Sequence, residues 1–175
     1  MNRVSIITVT SNSVATVRDT IESVLAQNYP GIEHIVIDGH STDGTVEIVR
    51  SYGNRIARFI SEPDRGIYDA MNKGLRLASG NIIGILHSDD VYTDRNIITR
   101  VVEEFQEKQV DLVFGDVVFV RPTNLAKVVR YYSSADCGPE RFAWGWMPAH
   151  PSCFLRREVY EKFGYFKPDY KIAAD

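Results

Sequence analysis

Cysteine is scarce in this chain: Cys137 and Cys153 are the two among 175 residues. They have neither CxxC spacing nor a neighbouring histidine pattern. That argues against a disulfide scaffold or a zinc site and fits a reducing compartment. An excess of basic charge is also missing. Twenty Lys and Arg against 23 Asp and Glu give a net charge of −3, so a nucleic acid polymer is not an expected partner. No run approaches the ~18 consecutive apolar residues of a membrane span. The segment after Met1 reads as a core strand rather than a signal peptide. Repeats, low-complexity tracts and long linkers are lacking too. What is present, 44% hydrophobic and 25% charged residues, is ordinary for a globular protein. At this length one domain with a real core is expected.

The hydrophobic pattern alternates between two periods. Val4 to Thr10 is a β-branched run that ends in Ser11-Asn12-Ser13, a strand entering a loop. Val14, Val17, Ile21, Val24 and Leu25 then form a helical stripe closed by Tyr29-Pro30-Gly31. Ile32 to Ile37 predicts a second strand, Thr45 to about Tyr52 a short helix, and Ile56 to Ile60 a third strand. Ile67, Ala70, Met71, Gly74, Leu75 and Ala78 mark the next helix, whose period turns Asp69, Asn72, Lys73 and Arg76 outward. Asn81 to Leu86 is the fourth strand, followed by a helix around Ile97 to Phe105. Four strand–helix alternations imply a mainly parallel, doubly wound α/β sheet. Beyond about Asp111 the pattern changes. Leu112 to Val120 and Lys127 to Tyr132 read as strands about a turn at Pro122-Thr123-Asn124, and an aromatic loop follows from Phe142 to Pro151. The expected organisation is one domain over 1–175, with a nucleotide-type half over 1–110 and a more variable half over 111–175.

The strand at Asn81-Ile-Ile-Gly-Ile-Leu-His-Ser-Asp-Asp90 ends in adjacent carboxylates, which core packing does not require. Ligands in open α/β sheets bind at the carboxyl ends of strands. A divalent cation with a phosphorylated ligand is therefore expected there; the plainer reading is a cap on the following turn. Two more polar clusters end parallel strands: Thr10-Ser11-Asn12, and Asp38 with its glycine-containing loop to Gly44. Small residues in that second loop admit a ligand close to backbone N–H groups, and Ser41 to Thr45 also suits a helix cap. Glu62-Pro-Asp-Arg-Gly66 follows the third strand on the same side. Asp64 and Arg65 either bond a ribose, base or phosphate or form a solvated turn. Asn72 either joins them or braces backbone groups. His34, alternating within a strand, reads as structural.

Together these segments resemble a family 2 glycosyltransferase with the GT-A fold. The resemblance runs through Val4-Ser-Ile-Ile-Thr-Val-Thr-Ser-Asn12, Gln27-Asn-Tyr-Pro30, Ile35-Val-Ile-Asp-Gly-His-Ser-Thr-Asp-Gly-Thr45 and Glu62-Pro-Asp-Arg-Gly-Ile-Tyr-Asp-Ala-Met-Asn-Lys-Gly74. It continues through Ala78-Ser-Gly80, His87-Ser-Asp-Asp90, Pro148-Ala-His-Pro-Ser-Cys-Phe-Leu-Arg156 and Ile172-Ala-Ala-Asp175. It implies a Rossmann-like GT-A sheet with a smaller acceptor-side region. It also implies an inverting transfer of sugar from a nucleotide-diphosphate donor to a saccharide or lipid-linked hydroxyl acceptor.

By this resemblance Thr10, Ser11, Asn12, Asp38, Asp64, Arg65, Asn72, Ser88 and Asp89 bind the nucleotide sugar. Asp89 and Asp90 hold Mg²⁺ or Mn²⁺, and Asp175 is the general base. Trp146 and His150, with Trp144 nearby, shape the acceptor or sugar pocket. The setting it implies is bacterial surface polysaccharide or glycan assembly, in the cytoplasm and peripheral at the inner membrane face. Three positions depart from the family pattern. His87 replaces the first carboxylate of the metal motif, Gly39 replaces a second Asp, and Ser11 replaces an aromatic that would stack on the base. Ile172-Ala-Ala-Asp175 gives no terminating Gly, Pro or charged tail and reads as a chain cut short. Were Asp175 the native end, a non-catalytic nucleotide-sugar-binding module would be the alternative.

Overall fold

The structure is a computed structural model and describes residues 2–135 and 138–169. Its first half follows from the two hydrophobic periods. Strands β1 (Val4–Thr10), β2 (Ile32–Asp38), β3 (Arg58–Ser61) and β4 (Ile82–Ile85) alternate with helices α1 (Val17–Leu25), α2 (Thr45–Ser51), α3 (Ile67–Leu77) and α4 (Ile97–Lys108). Every residue of β1 is buried, as expected for a strand covered on both faces. The period of two then sorts the side chains. Val4, Ile6 and Ile82 pack with α1 and α4 through Val24, Ile98, Val102 and Phe105. Ile7, Ile35, Ile37, Ile83 and Ile85 pack on α3 through Ala70, Met71 and Leu75. Gly74 lets α3 sit against the sheet, since a Cβ there would come within 2.4 Å of Ile7 Cγ2.

The main sheet has six strands in the order β3-β2-β1-β4-β8-β5, with β5 at Leu112–Val113 and β8 at Phe154–Arg156. β1 pairs in parallel with β2 and β4, and β2 with β3. β8 lies antiparallel to both β4 and β5. A separate antiparallel ribbon joins β6 (Val117–Arg121) to β7 (Asn124–Tyr132). The later segment adds α5 (Pro139–Phe142), a short 3₁₀ turn at His150–Ser152 and α6 (Arg157–Phe163). The mainly parallel, doubly wound α/β sheet expected from sequence is present.

Four details differ from the sequence pattern. α1 starts at Val17 because Val14 lies exposed in a turn before it. The run Leu112 to Val120 is two strands, one in each sheet, separated by residues 114–116. β8 and α6 carry no recognisable sequence signal: three residues become a strand only because β4 and β5 offer edges on both sides. Asn72, expected on the outer face of α3, is buried, because the backbone at Phe166 crosses over it.

Candidate active site

The parallel register sets the site. Thr10 pairs with Asp38, and Asp38 with Ser61, so the ends of β1, β2 and β3 form one row at the carboxyl edge. Asp38 is wholly buried. Its Oδ1 accepts the Ser41 hydroxyl at 2.5 Å, and its Oδ2 accepts the Ser41 amide at 3.0 Å and the Ser61 hydroxyl at 2.6 Å. This carboxylate thus ties the loop after β2 to the end of β3. Gly39 N–H donates to the Thr10 carbonyl at 2.8 Å, binding the same loop to β1. Thr10 is buried, and its Oγ1 finds no hydrogen-bond partner among the described residues.

The loops after β1 and β2 also clasp each other. Asn12 N–H donates to Ser41 Oγ at 2.7 Å, while Asn12 Oδ1 accepts the Thr42 amide at 3.0 Å. Ser13 N–H donates to Thr45 Oγ1 and Val14 N–H to Asp43 Oδ2. Asp43 accepts the amide and hydroxyl of Thr45 as α2 begins; the Thr45 hydroxyl is the main cause that holds its carboxyl below the usual range. Asn12 and His40 both have left-handed backbones, with φ of 49° and 64°. That conformation disfavours non-glycine residues and persists where surrounding bonds enforce it, a pattern that concentrates at functional loops.

Asp64 comes to the same edge from the loop after β3. Its Oδ1 accepts the Gly66 amide at 2.9 Å. A Cβ on Gly39 would lie 2.6 Å from Asp64 Oδ2 and 3.5 Å from Ser11 Cβ. The missing side chain at 39 therefore makes the space into which Asp64 leans, beside exposed Ser11. Arg65 is exposed, and its amide and guanidinium both face Asp69.

After β4 the chain turns at His87–Asp90, with the Asp90 amide donating to the His87 carbonyl at 3.0 Å. Ser88 is buried, and its hydroxyl donates to Ser13 Oγ at 2.8 Å, which joins this turn to the loop after β1. Asp89 is exposed beside partly buried Asp90. Burial first, and the neighbouring Asp89 charge second, push the Asp90 carboxyl up to about 6. His87 stacks on His150, with ring centroids 5.6 Å apart and planes 18° from parallel.

Beyond His150 lies an aromatic group the sequence did not announce. Phe166 meets His150 at 5.8 Å, Tyr68 at 5.8 Å and Tyr160 at 6.1 Å. Asn72 holds this group from beneath: its Nδ2 donates to the Phe166 carbonyl at 2.8 Å and its Oδ1 accepts the Phe166 amide at 3.0 Å. A largely apolar cavity of about 290 Å³ opens beside it, lined by Ile85, Met147, His150, Cys153, Tyr160 and Phe166 among others. Trp146 lies elsewhere, between Phe114 and Tyr132 at the base of the β6–β7 ribbon.

The fold therefore brings Thr10, Ser11, Asn12, Asp38, Asp64 and Ser88 into one connected set of loops, with Asp89 and Asp90 on its β4 side and His150 next to them. Arg65 borders the set, Asn72 acts on the Phe166 segment, and Asp175 lies outside the described residues. Among the described residues no three His, Cys, Asp or Glu side chains form a ready metal cluster. The chemistry of the pair still suits a hard cation. Two carboxylates with unrelieved repulsion offer oxygen ligands, and Mg²⁺ typically takes one or two such groups and completes its shell with water and phosphate oxygens.

The comparisons with known proteins show the family and the fold. The sequence model of Glycosyl transferase family 2 matches residues 5–164. The chain belongs to glycosyl transferase family 2. An uncharacterized glycosyltransferase of Mycobacterium tuberculosis is 34% identical over 98% of this chain. A PGL/p-HBAD biosynthesis glycosyltransferase of Mycobacterium bovis is 30% identical over 98% of it. The chain spans about two thirds of these relatives' length, 65% and 66% respectively. Among solved structures, a mannosyltransferase from Pyrobaculum calidifontis in complex with GDP-Man and Mn²⁺ superposes with a TM-score of 0.74 at 27% identity, over 96% of this chain and 48% of that one. Staphylococcus aureus TarS shares the fold with a TM-score of 0.77 at 20% identity, over 99% of this chain and 32% of that one.

Proposed function

We propose that this chain carries the donor-binding and catalytic platform of a metal-dependent, inverting glycosyltransferase. It moves a sugar from a nucleoside-diphosphate donor to a hydroxyl acceptor during assembly of a cell-surface polysaccharide or glycan. The observation that carries this reading is the convergence of the loops after β1, β2 and β3 with Asp89 and Asp90 at one sheet edge. Family membership and the donor and Mn²⁺ bound to the Pyrobaculum mannosyltransferase support it.

In this reading Thr10, Ser11, Asn12, Asp38, Asp64 and Arg65 receive the nucleoside. Asp38 is already committed to Ser41 and Ser61, so it acts largely by fixing the shape of the loop, with Gly39 leaving room for Asp64 to reach the same edge. Ser88 and Asp89 face the ribose and diphosphate. Asp89 and Asp90 would hold Mg²⁺ or Mn²⁺, which when bound supplies positive charge against the departing diphosphate. His87, stacked on His150, takes the place of the usual first carboxylate and leaves the cation to these two Asp residues. Asp175 removes the acceptor's proton, since a hydroxyl is a poor nucleophile until a base engages it. His150 shapes the acceptor side, Asn72 positions that side through Phe166, and Trp146 acts on it only from the base of the β6–β7 ribbon. The acceptor is a saccharide or lipid-linked hydroxyl presented at the inner face of the cytoplasmic membrane, with the protein held there peripherally. Among the described residues no helix is long and apolar enough to cross a membrane.

A thermal-stabilisation screen of nucleotide sugars tests the proposal. At least one UDP-, GDP- or dTDP-sugar should raise the unfolding temperature in Mn²⁺ and do so much less in EDTA. No stabilisation by any donor in Mn²⁺ would reject it.

A further inference from the structure

The β6–β7 ribbon is not accounted for by the donor platform. Among the described residues, none of its side chains joins the buried core clusters. Nearly every residue of β7 is exposed, although the strand is rich in apolar side chains. Phe119, Leu125, Val128, Val129 and Tyr131 are each about half exposed, and Trp144, in the loop that follows, is 89% exposed. The register puts Phe119 and Arg130 on one face and Val118 and Tyr131 on the other, so apolar groups are exposed on both faces of the ribbon, which marks it as an interaction element.

Charge indicates which kind of surface. Within residues 117–132 the charged side chains are Arg121, Lys127 and Arg130, with no acidic residue among them, in a chain whose net charge is −3. Asp116, just before the ribbon, is engaged by the Tyr131 hydroxyl and by Ser134. A second copy pairing through this ribbon would bring three cations against three cations. Basic side chains on exposed strands are a recognised guard against such pairing. Aliphatic, aromatic and basic groups together match an anionic bilayer, where apolar parts enter the headgroup region and the Lys and Arg stems extend to lipid phosphates. An exposed tryptophan belongs at that level too.

Topology gives the ribbon its use. β5 runs antiparallel to β8, which runs antiparallel to β4, which is parallel to β1. The chain therefore leaves β5 toward the ribbon at the same carboxyl edge that holds Asp38 and Asp89. The ribbon's base is fixed there: the Tyr132 hydroxyl donates to the Met147 carbonyl at 2.8 Å, and its ring stacks on Trp146. Met147 and His150 line the same cavity, which links the ribbon's root to the acceptor side.

We infer that the β6–β7 ribbon, with Trp144, docks the carboxyl edge of the sheet on an anionic lipid surface. This builds on the proposal that the acceptor is presented at a membrane, and it assigns the contact to particular residues. The test is co-sedimentation with vesicles of phosphatidylcholine alone or mixed with phosphatidylglycerol, using no donor and no turnover. The protein should bind the mixed vesicles, not the neutral ones, and be released by high salt. Arg121→Gln with Lys127→Gln should weaken binding by about 25-fold, from about 5-fold per cation. Val128→Ser with Val129→Ser should weaken it several-fold, and vesicles should shift Trp fluorescence to the blue in the wild type but not in Trp144→Ser. These side chains are exposed, so all variants should keep the wild-type unfolding transition and nucleotide affinity.

Three results would overturn the inference. One is no vesicle binding, or equal binding to neutral and anionic vesicles. Another is sensitivity to the charge pair alone, which would make the ribbon a general polyanion patch. The third is self-association in the ultracentrifuge that the same variants abolish, which would make it an interface between copies. Failure of nucleotide binding would sink the proposed function and leave the vesicle result standing.

Discussion

Two carboxylate settings at opposite edges of one sheet contrast sharply. At the amino edge Glu33, on β2, is buried and fully answered. It accepts the Ser5 hydroxyl at 2.5 Å, the Ser79 amide at 2.8 Å and the Ser79 hydroxyl at 2.9 Å, and pairs with Arg3 at 3.2 Å. Burial alone would raise its titration, but those partners outweigh burial and hold it below the usual range. At the carboxyl edge, no ion pair to Asp89 or Asp90 occurs among the described residues, and Asp90 is pushed up. Where folding itself supplies the partners, a carboxylate is architecture. Where it leaves neighbouring carboxylates without such partners beside converging loops, the proposed function assigns the missing partner to a ligand.

Breaking the amino-edge network should give the largest effect on stability. Glu33→Ala leaves the Ser5 and Ser79 donors without their acceptor inside the sheet. It should cost about 4 kcal/mol in urea unfolding at pH 7, with donor affinity in the folded protein unchanged. A loss below about 1 kcal/mol would erase the contrast.

His34 gives the next effect. It is buried on β2, with Nε2 3.0 Å from Thr8 Oγ1 of β1, and burial pushes its pKa down to about 4. The unfolded chain binds this proton more readily, so the contribution is complete above about pH 6.5 and is lost as pH falls toward 4. Between pH 7 and 5 the wild type should lose about 2 kcal/mol relative to His34→Gln. Parallel pH profiles of the two proteins would contradict it.

Gly39→Ala probes the donor side of the comparison. Its new Cβ would meet Asp64 Oδ2, so either Asp64 or the loop must shift. A change of about 1 kcal/mol is expected, seen as a roughly 5-fold loss of nucleotide affinity by titration. The smallest effect belongs to Asp90→Asn without metal, because solvent screens a carboxyl that is only partly buried and removes most of what its shift would otherwise be worth. A raised carboxyl stabilises the fold at low pH and loses that contribution as pH climbs from about 4 through about 6. The variant should therefore be slightly more stable than wild type at pH 7, and a marked loss would show that Asp90 has a structural partner.

The sequence was most legible where local pattern and tertiary context agree. β1 and β2 are β-branched runs that stop at polar clusters, and their parallel pairing alone brings Thr10 and Asp38 side by side. The departure at Gly39 was visible as a substitution, but its meaning depends on Asp64 arriving from another loop. Asn72 was misread as outward because helical period knows nothing of a segment 94 positions later that lies over it. Phe166 and the His87–His150 stack had no local signal, since chain distance separates partners that the sheet brings together. β8 was invisible for the same reason: strand edges on both sides, not its own three residues, make it a strand.

The central claim is that Asp89 and a divalent cation together hold a nucleoside diphosphate at the carboxyl edge. Calorimetric titration of UDP and GDP into wild type and Asp89→Asn, in Mn²⁺ and in EDTA, tests it most directly. The account predicts binding of at least one nucleotide that the metal strengthens, and a loss on the order of 100-fold in the variant, confined to the Mn²⁺ condition. Equal affinity of the two proteins in Mn²⁺, or no binding by either, would contradict it.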